Sequence, residues 1–390
     1  MGFAAANLIL ARVLPPAEYA WLTLVLALVN VGYALAPAGI DGLVNRRNLE
    51  AGPLLLKRVL FATTATGSVF ALVGALAYET SASLTAMIFL STAMGGALIV
   101  AAAKFQSEQR FGLSLALLQS PNLVLLLAAL VTLAAGVREA WVALLIMTLG
   151  WLPPAIWGWR ILFRERHAMP YQAVEFSWKE GLSLAGMQAT GLILVQLERL
   201  VLPHVLPLHD LATYGVLGAI AGSLFRVLQM SVGYTLFPRL RAAKDVRERR
   251  RLVANEARLA SAVVLAGSVA IWVVTPVVER WFLAGKYHLA GWLVLAVVVS
   301  GVTKVFNAFT RATASALATT GELSAVNLLG WVSVAVGLAA AIVGARWGLA
   351  GVIYGVALGW LMRSVSAFYV AARHLRLPGS EQAAEPATSP

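Results

Sequence analysis

Residues Ala11–Leu22 read ARVLPPAEYAWL, and residues Pro203–Tyr214 read PHVLPLHDLATY. Slid by 192 positions, Val13, Leu14 and Pro15 fall on Val205, Leu206 and Pro207, Glu18 falls on Asp210, and Ala20 falls on Ala212. The offset is close to half of the 390 residues. Each copy closes one apolar run and opens the next, so it joins the first helix of a half to the second. The expected architecture is two lobes of parallel topology, residues 1–168 and 169–376, followed by a polar tail, LPGSEQAAEPATSP (377–390), whose composition predicts disorder.

Composition names the solvent. Hydrophobic residues make up 60% of the chain and charged residues 12%, about half the charged share of a soluble domain. The apolar runs lie near 2–13, 20–44, 59–77, 84–103, 113–133, 141–162, 181–202, 211–237, 259–278, 289–309, 323–343 and 349–371. Most approach the roughly 20 residues that span a bilayer, and helix is the reading because open strands leave backbone groups unsatisfied in lipid. The predicted fold class is therefore an all-α integral membrane protein of about twelve transmembrane helices. The run 2–13 is short for a span and has no signal-peptide cleavage pattern, so it reads as a truncated first helix.

Lysines and arginines set the orientation, since basic connections stay cytoplasmic. With the first helix running outward, most of the 30 basic residues fall on inner connections and helix ends, and both termini are expected in the cytoplasm. The richest block, RLRAAKDVRERRRLVANEAR (Arg239–Arg258), reads as an inner amphipathic linker. Charge dealt out loop by loop in this way does not point to nucleic acid.

Enzymatic readings find little support. Cysteine is absent, and the aspartates are only Asp41, Asp210 and Asp245. The five histidines show no metal-ligand spacing, and no GxxxxGK[ST] phosphate loop occurs. No catalytic residue, cofactor or metal is expected. A surface-glycan polymerase or ligase would need a long outer loop, and no connection is long enough.

Polar residues inside apolar runs are the informative exceptions, because an ionisable group at membrane depth faces protein or a wet cavity. In LVQLERLVLPHVLP (Leu194–Pro207), helical geometry puts Arg199 within about 20° of Gln188, and Gln196 about 80° from it. Glu198 points elsewhere, as if to pair with a neighbouring helix. The run 211–237 carries Ala219, Ser223, Arg226, Met230 and Tyr234 on one stripe. Ser300, Lys304, Asn307, Arg311 and Ser315 share an arc of about 80°. Gln119, Ser120, Pro121 and Asn122 mark a kink in the run 113–133, and GVIYGVALG (Gly351–Gly359) is a doubled small-xxx-small packing pattern. Trp141, Trp151, Trp157 and Trp159 bracket one span as interfacial anchors would.

ARVLPPAEYAWLTLV, LERLVLPHVLPLHDLATYGVLGA, FPRL after the eighth run, and ALATTGELSAVNLLGWVSVAVGLAAAIVGARWGLAGVIYGVALG together resemble the polysaccharide-biosynthesis flippases. These are the Wzx-type oligosaccharide exporters of the MOP superfamily, which also holds the MATE multidrug exporters and the lipid II flippases. The resemblance covers essentially the whole chain. It implies two six-helix lobes around a central cavity that opens alternately to each side of the bacterial inner membrane. It also implies a cargo of undecaprenyl-pyrophosphate-linked repeat units for O-antigen, capsule or exopolysaccharide, with a polymerase and chain-length machinery as partners of a monomeric flippase. Guanidinium groups suit phosphate oxygens, and amides and hydroxyls suit sugars. The expected substrate residues are therefore Arg226, Lys304 and Arg311 for pyrophosphate and Gln188, Gln196, Asn307 and Tyr234 for glycan, with Arg199 and Arg12 at the outer mouth. The alternative is a MATE-type exporter of drugs or cations, which wants buried carboxylates; Glu198 is the one good candidate.

Overall fold

The computed structural model describes residues 2–47, 49–164, 176–243 and 245–376. The expected boundary at 168/169 and the tail from Leu377 lie outside the described residues. All regular structure among those residues is helical: α1 (Gly2–Val13), α2 (Pro16–Leu35), α3 (Ile40–Arg47), α4 (Pro53–Ala77), α5 (Ala82–Ser107), α6 (Phe111–Ala135) and α7 (Ala140–Arg164), then α8 (Trp178–Val205), α9 (Leu208–Ala242), α10 (Val246–Val277), α11 (Gly291–Leu317), α12 (Thr320–Gly344) and α13 (Gly348–Arg376). A π turn, Val278–Phe282, continues α10.

Local chemistry sets the ends. Ser81, Ser177 and Asp245 each accept a hydrogen bond from the backbone N–H three residues on, and Thr319 with Glu322 forms a capping box. Pro16 and Pro53 sit in first turns, where a missing N–H costs nothing. The basic linker 239–258 is not a separate element: it is the last turn of α9, a short connection, and the first three turns of α10.

The run 20–44 differs from expectation, forming two helices. Pro37 supplies no donor, and Ala38 (φ +50°) and Gly39 (φ +79°) turn left-handed. Glycine is required at position 39 twice over, because a Cβ there would also stand 1.8 Å from the Gly181 carbonyl oxygen at the start of α8.

Nine stretches among the described residues are long and apolar enough to cross a membrane. Leu60, Phe61, Leu72 and Leu76 on α4, and Leu265, Val269, Trp272 and Val273 on α10, are exposed. Contiguous apolar surface of this kind is rare in water and ordinary against lipid. The chain is a multi-pass membrane protein.

Contacts group the chain into two units, Met1–Ala219 with Arg280–His288, and Ile220–Glu279 with Leu289–Pro390. In the first, α5 is central, packed by α2, α4, α6 and α7, while α1 lies on α6 and α8 lies on α2 and α3. Val59, Val100, Phe105, Leu117 and Trp159 belong to its core. Trp151 and Trp159 are therefore not interfacial anchors. Trp151 packs edge-on to Tyr33, and Trp159 Nε1 donates to the Ala97 carbonyl at 3.1 Å; of these four, Trp141 and Trp157 are exposed.

At the end of α5, fully buried Lys104 pairs with Glu108 at 3.2 Å. Removing one partner of such a pair strands a charge. Glu108→Ala is expected to lower stability by about 3 kcal/mol, read by thermal unfolding in detergent. Lys104→Met with Glu108→Leu should recover most of it, a coupling that a double-mutant cycle measures.

The segment Arg280–His288 is fastened within the first unit. Lys286 Nζ donates to the carbonyls of Arg12 at 2.6 Å and Leu14 at 2.9 Å, and the Tyr287 hydroxyl donates to Ala11 at 3.3 Å. These carbonyls lie at the end of α1, where helix geometry leaves acceptors unused. Burial, and then the charge of Arg138, hold the Lys286 amine below the ordinary lysine value. Tyr287 also meets Tyr19 edge-on and stacks on His209. It thus touches both copies of the repeated stretch. Lys286→Met should lower the thermal midpoint of unfolding, by an amount equivalent to about 1–2 kcal/mol.

In the second unit, α11 and α12 pack on α13, and α10 packs on α11. Val232, Leu236 and Leu240 of α9 close a core with Ala312, backed by Val253 and Phe309. The small-xxx-small pattern does what its spacing predicts, since Gly351, Gly355 and Gly359 meet the α12 backbone.

Candidate functional site

Two polar clusters stand out, one in each unit. In the first, the residues of LVQLERL converge on α2 and the start of α9. Arg199 donates to Gln196 Oε1 at 2.9 Å, its guanidinium lies 6.0 Å from the Tyr214 ring centroid, and one terminal nitrogen would be 3.3 Å from a Cβ at Gly218. Its Nε has no hydrogen-bond partner among the described residues. Glu198 is fully buried and accepts a hydrogen bond from the Tyr214 hydroxyl. An acid, a base and an amide within four positions are thus a knot that α8 ties with α9, with Glu198 engaging a neighbouring helix. Tyr78, at the end of α4, donates to the Leu200 carbonyl at 2.9 Å. Burial pushes its hydroxyl up to about 12, so it stays a donor at all physiological pH.

The second cluster lies between α11 and α13. Lys304, Asn307 and Arg311 share one face of α11, as spacing predicted. Trp360, Arg363 and Ser364 occupy i, i+3 and i+4 of α13. The Lys304 ammonium stands 6.0 Å from the Trp360 ring centroid, and Arg311 is close enough for its charge to act on Arg363. Asn307 and Arg363 are only 5% and 4% exposed, whereas Arg311 is exposed. Even so, among the described residues Asn307 Nδ2, Arg363 Nη1 and Trp360 Nε1 have no hydrogen-bond partner. All three are donors. Among the described residues neither Arg311 nor Arg363 makes an ion pair.

Leaving a guanidinium buried without a counterion costs several kcal/mol. An arrangement of orphan donors around two cations lowers that cost when it takes up something rich in negative oxygen. The chemistry offered is binding. No group of three or more metal-ligating side chains occurs among the described residues.

The other sequence-predicted positions scatter. Gln188 is exposed on α8, away from the Gln196–Arg199 pair. Arg226 is exposed on α9. Tyr234 is on α9, and its side chain lies outside the described residues. Arg12 lies over the Phe282 ring at 5.2 Å. Sequence reasoning missed Trp360 and Arg363. The signal was available, since the spacing used for α11 also aligns Trp360, Arg363 and Ser364 on one face of α13.

No protein-family model matches the chain, and no curated protein matches it by sequence. Solved structures do match. The inward-facing conformation of a multidrug resistance MATE family transporter of the MOP superfamily aligns with a TM-score of 0.64 at 12% identity, over 96% of this chain and 94% of that one. The lipid II flippase MurJ in an inward closed conformation aligns at 0.63 and 10% identity, over 94% and 84%. A MOP superfamily transporter from Pyrococcus furiosus, whose binding pocket is described as reversed in polarity, aligns at 0.51 and 14% identity, over 95% and 90%. The chain has the fold of MOP superfamily transporters.

Proposed function

We propose that this chain is a flippase of the Wzx type. Its cargo is undecaprenyl-pyrophosphate-linked oligosaccharide repeat units, moved across the bacterial inner membrane for surface polysaccharide assembly. The observation that carries the reading is the pair Arg311 and Arg363, set among orphan donors with no carboxylate. A pyrophosphate supplies the missing acceptors and the missing charge. Lys304 adds a third cation, while Asn307 and the Trp360 indole N–H are placed for phosphate or sugar oxygens. Arg226, Gln188, Tyr234, Gln196 and Arg199 are further residues proposed to meet the cargo.

Alternating access needs two conformations of comparable free energy whose balance the cargo shifts. A headgroup that neutralises the cations in one of them biases that balance. Two six-helix lobes, 1–168 and 169–376, with both termini cytoplasmic, are the frame we infer for this cycle. A polymerase and chain-length machinery would receive the product.

A MATE-type exporter is the second reading, favoured by the complete burial of Glu198. Cation exchange needs a carboxylate that can release its bound neighbours, and Glu198 is held by Tyr214 beside Arg199. In a deletion strain, the flippase reading expects loss of surface-glycan stain with unchanged drug accumulation; the reverse pattern would overturn it. Lys304→Ala and Arg311→Ala are each expected to reduce glycan export about tenfold at normal protein levels, the value of one charge-assisted hydrogen bond.

A further inference from the structure

Within the second unit, α10, α11 and α13 enclose an apolar slot of about 980 Å³, at the upper end of small-molecule pockets, which run from about 300 to 1,000 Å³. Its walls include Ala260, Val264, Val302, Phe306 and Phe368. Three of the four hydroxyls that line it are already spent: Ser268, Thr310 and Thr313 each donate to a carbonyl of their own helix, which leaves that of Ser261. Along its length the slot therefore offers a sugar or a phosphate only the Ser261 hydroxyl. Its one charged lining residue, Arg250, is at the end.

The dimensions select the occupant. From Val253 to Ser268 the slot follows α10 for about 22 Å at 1.5 Å per residue, more than half of a hydrocarbon core about 30 Å thick. Arg250 lies about 5 Å further toward the basic end. Its Nε donates to the Leu375 carbonyl at 2.6 Å, leaving its terminal nitrogens for another acceptor, and Arg247 and Arg251 are exposed on neighbouring turns. Arg311, Lys304 and Arg363 do not line the slot, so it is distinct from the cationic cluster.

We propose that this slot seats an acyl chain of an anionic phospholipid, with the phosphate on Arg250. A long apolar slot ending in arginine matches such a lipid in polarity and charge. The bound lipid fills space that the three helices leave open and ties the start of α10 to the end of α13.

Purified protein in mild detergent, stripped and then titrated with phosphatidylglycerol or phosphatidylcholine, tests this by native mass spectrometry. The wild-type chain should retain one phosphatidylglycerol in preference to phosphatidylcholine. Ser261→Phe with Val302→Phe should abolish that retention by filling the slot. Arg250→Ala, at an exposed position that does not endanger the fold, should weaken phosphatidylglycerol about fivefold and leave phosphatidylcholine unchanged, the value of one basic group near an anionic headgroup. Equal retention of the two lipids by the wild-type chain would overturn the proposal, as would unchanged retention in the filled variant or preferential retention of a polyprenyl phosphate. Glycan export plays no part in the readout, so the proposal stands or falls apart from the proposed function.

Discussion

Arg363→Leu is expected to reduce export of lipid-linked glycan by roughly 10- to 150-fold, the range that about 1.5–3 kcal/mol of charge-assisted hydrogen bonding represents. The variant should nevertheless accumulate normally. The two effects have opposite signs for one reason. Arg363 is buried, one terminal nitrogen has no acceptor, and the nearby charge is another arginine. Taking away an uncompensated buried cation relieves desolvation and repulsion, so the leucine variant should unfold at the same temperature as the parent or higher. A residue that braced the fold would lose stability and activity together. Arg363→Lys keeps the charge and loses the two-pronged donor geometry, and should recover only part of the export. A destabilised leucine variant, or one exporting normally, would remove the ground for the anion site.

Gly355→Leu should prevent α12 and α13 from assembling. A Cβ at this position would lie 2.4 Å from the Ala340 carbonyl carbon and the Ala341 backbone nitrogen, and a backbone cannot swing aside as a side chain can. The same contact recurs a turn away on both sides, at Gly351 against the Gly344 oxygen (1.9 Å) and at Gly359 against Gly337 and the Ser333 oxygen. Overpacking in ordinary cores costs about 1–3 kcal/mol because neighbours adjust. With rigid neighbours on successive turns the penalty should exceed that range, and the protein should fail to accumulate in membranes. Gly355→Ala, the smallest addition, should still lower the thermal midpoint. By contrast Gly222→Ala, where nothing lies within 4 Å of the added carbon, should leave it unchanged.

What the sequence disclosed follows from what periodicity can carry. Helix positions were legible because each apolar run has to match the thickness of the solvent it crosses, and capping residues such as Ser81, Asp245 and Thr319 stand at the boundaries. The break between α2 and α3 was not read, although Pro37 and Gly39 signalled it, because hydrophobicity continues unchanged through it. The tryptophans of α7 were misassigned for a different reason. Spacing tells where a ring points around its own helix, and only a neighbour such as Tyr33 or the Ala97 carbonyl makes it core. The α11 face of Lys304, Asn307 and Arg311 came from one helix and so could be read from one helix. Its completion by Trp360 and Arg363 depends on which helix packs beside α11, which no local pattern states.

The π turn Val278–Phe282 has a mechanical meaning, since the chain passes from one unit to the other within it, between Glu279 and Arg280. A π turn stores one residue beyond the α count. Handing that surplus along the helix swivels the portion it traverses by about 100° while backbone bonding persists. The surplus residue thus sits at the point where the chain leaves one unit for the other, directly before the strap that holds Lys286 and Tyr287 against the end of α1.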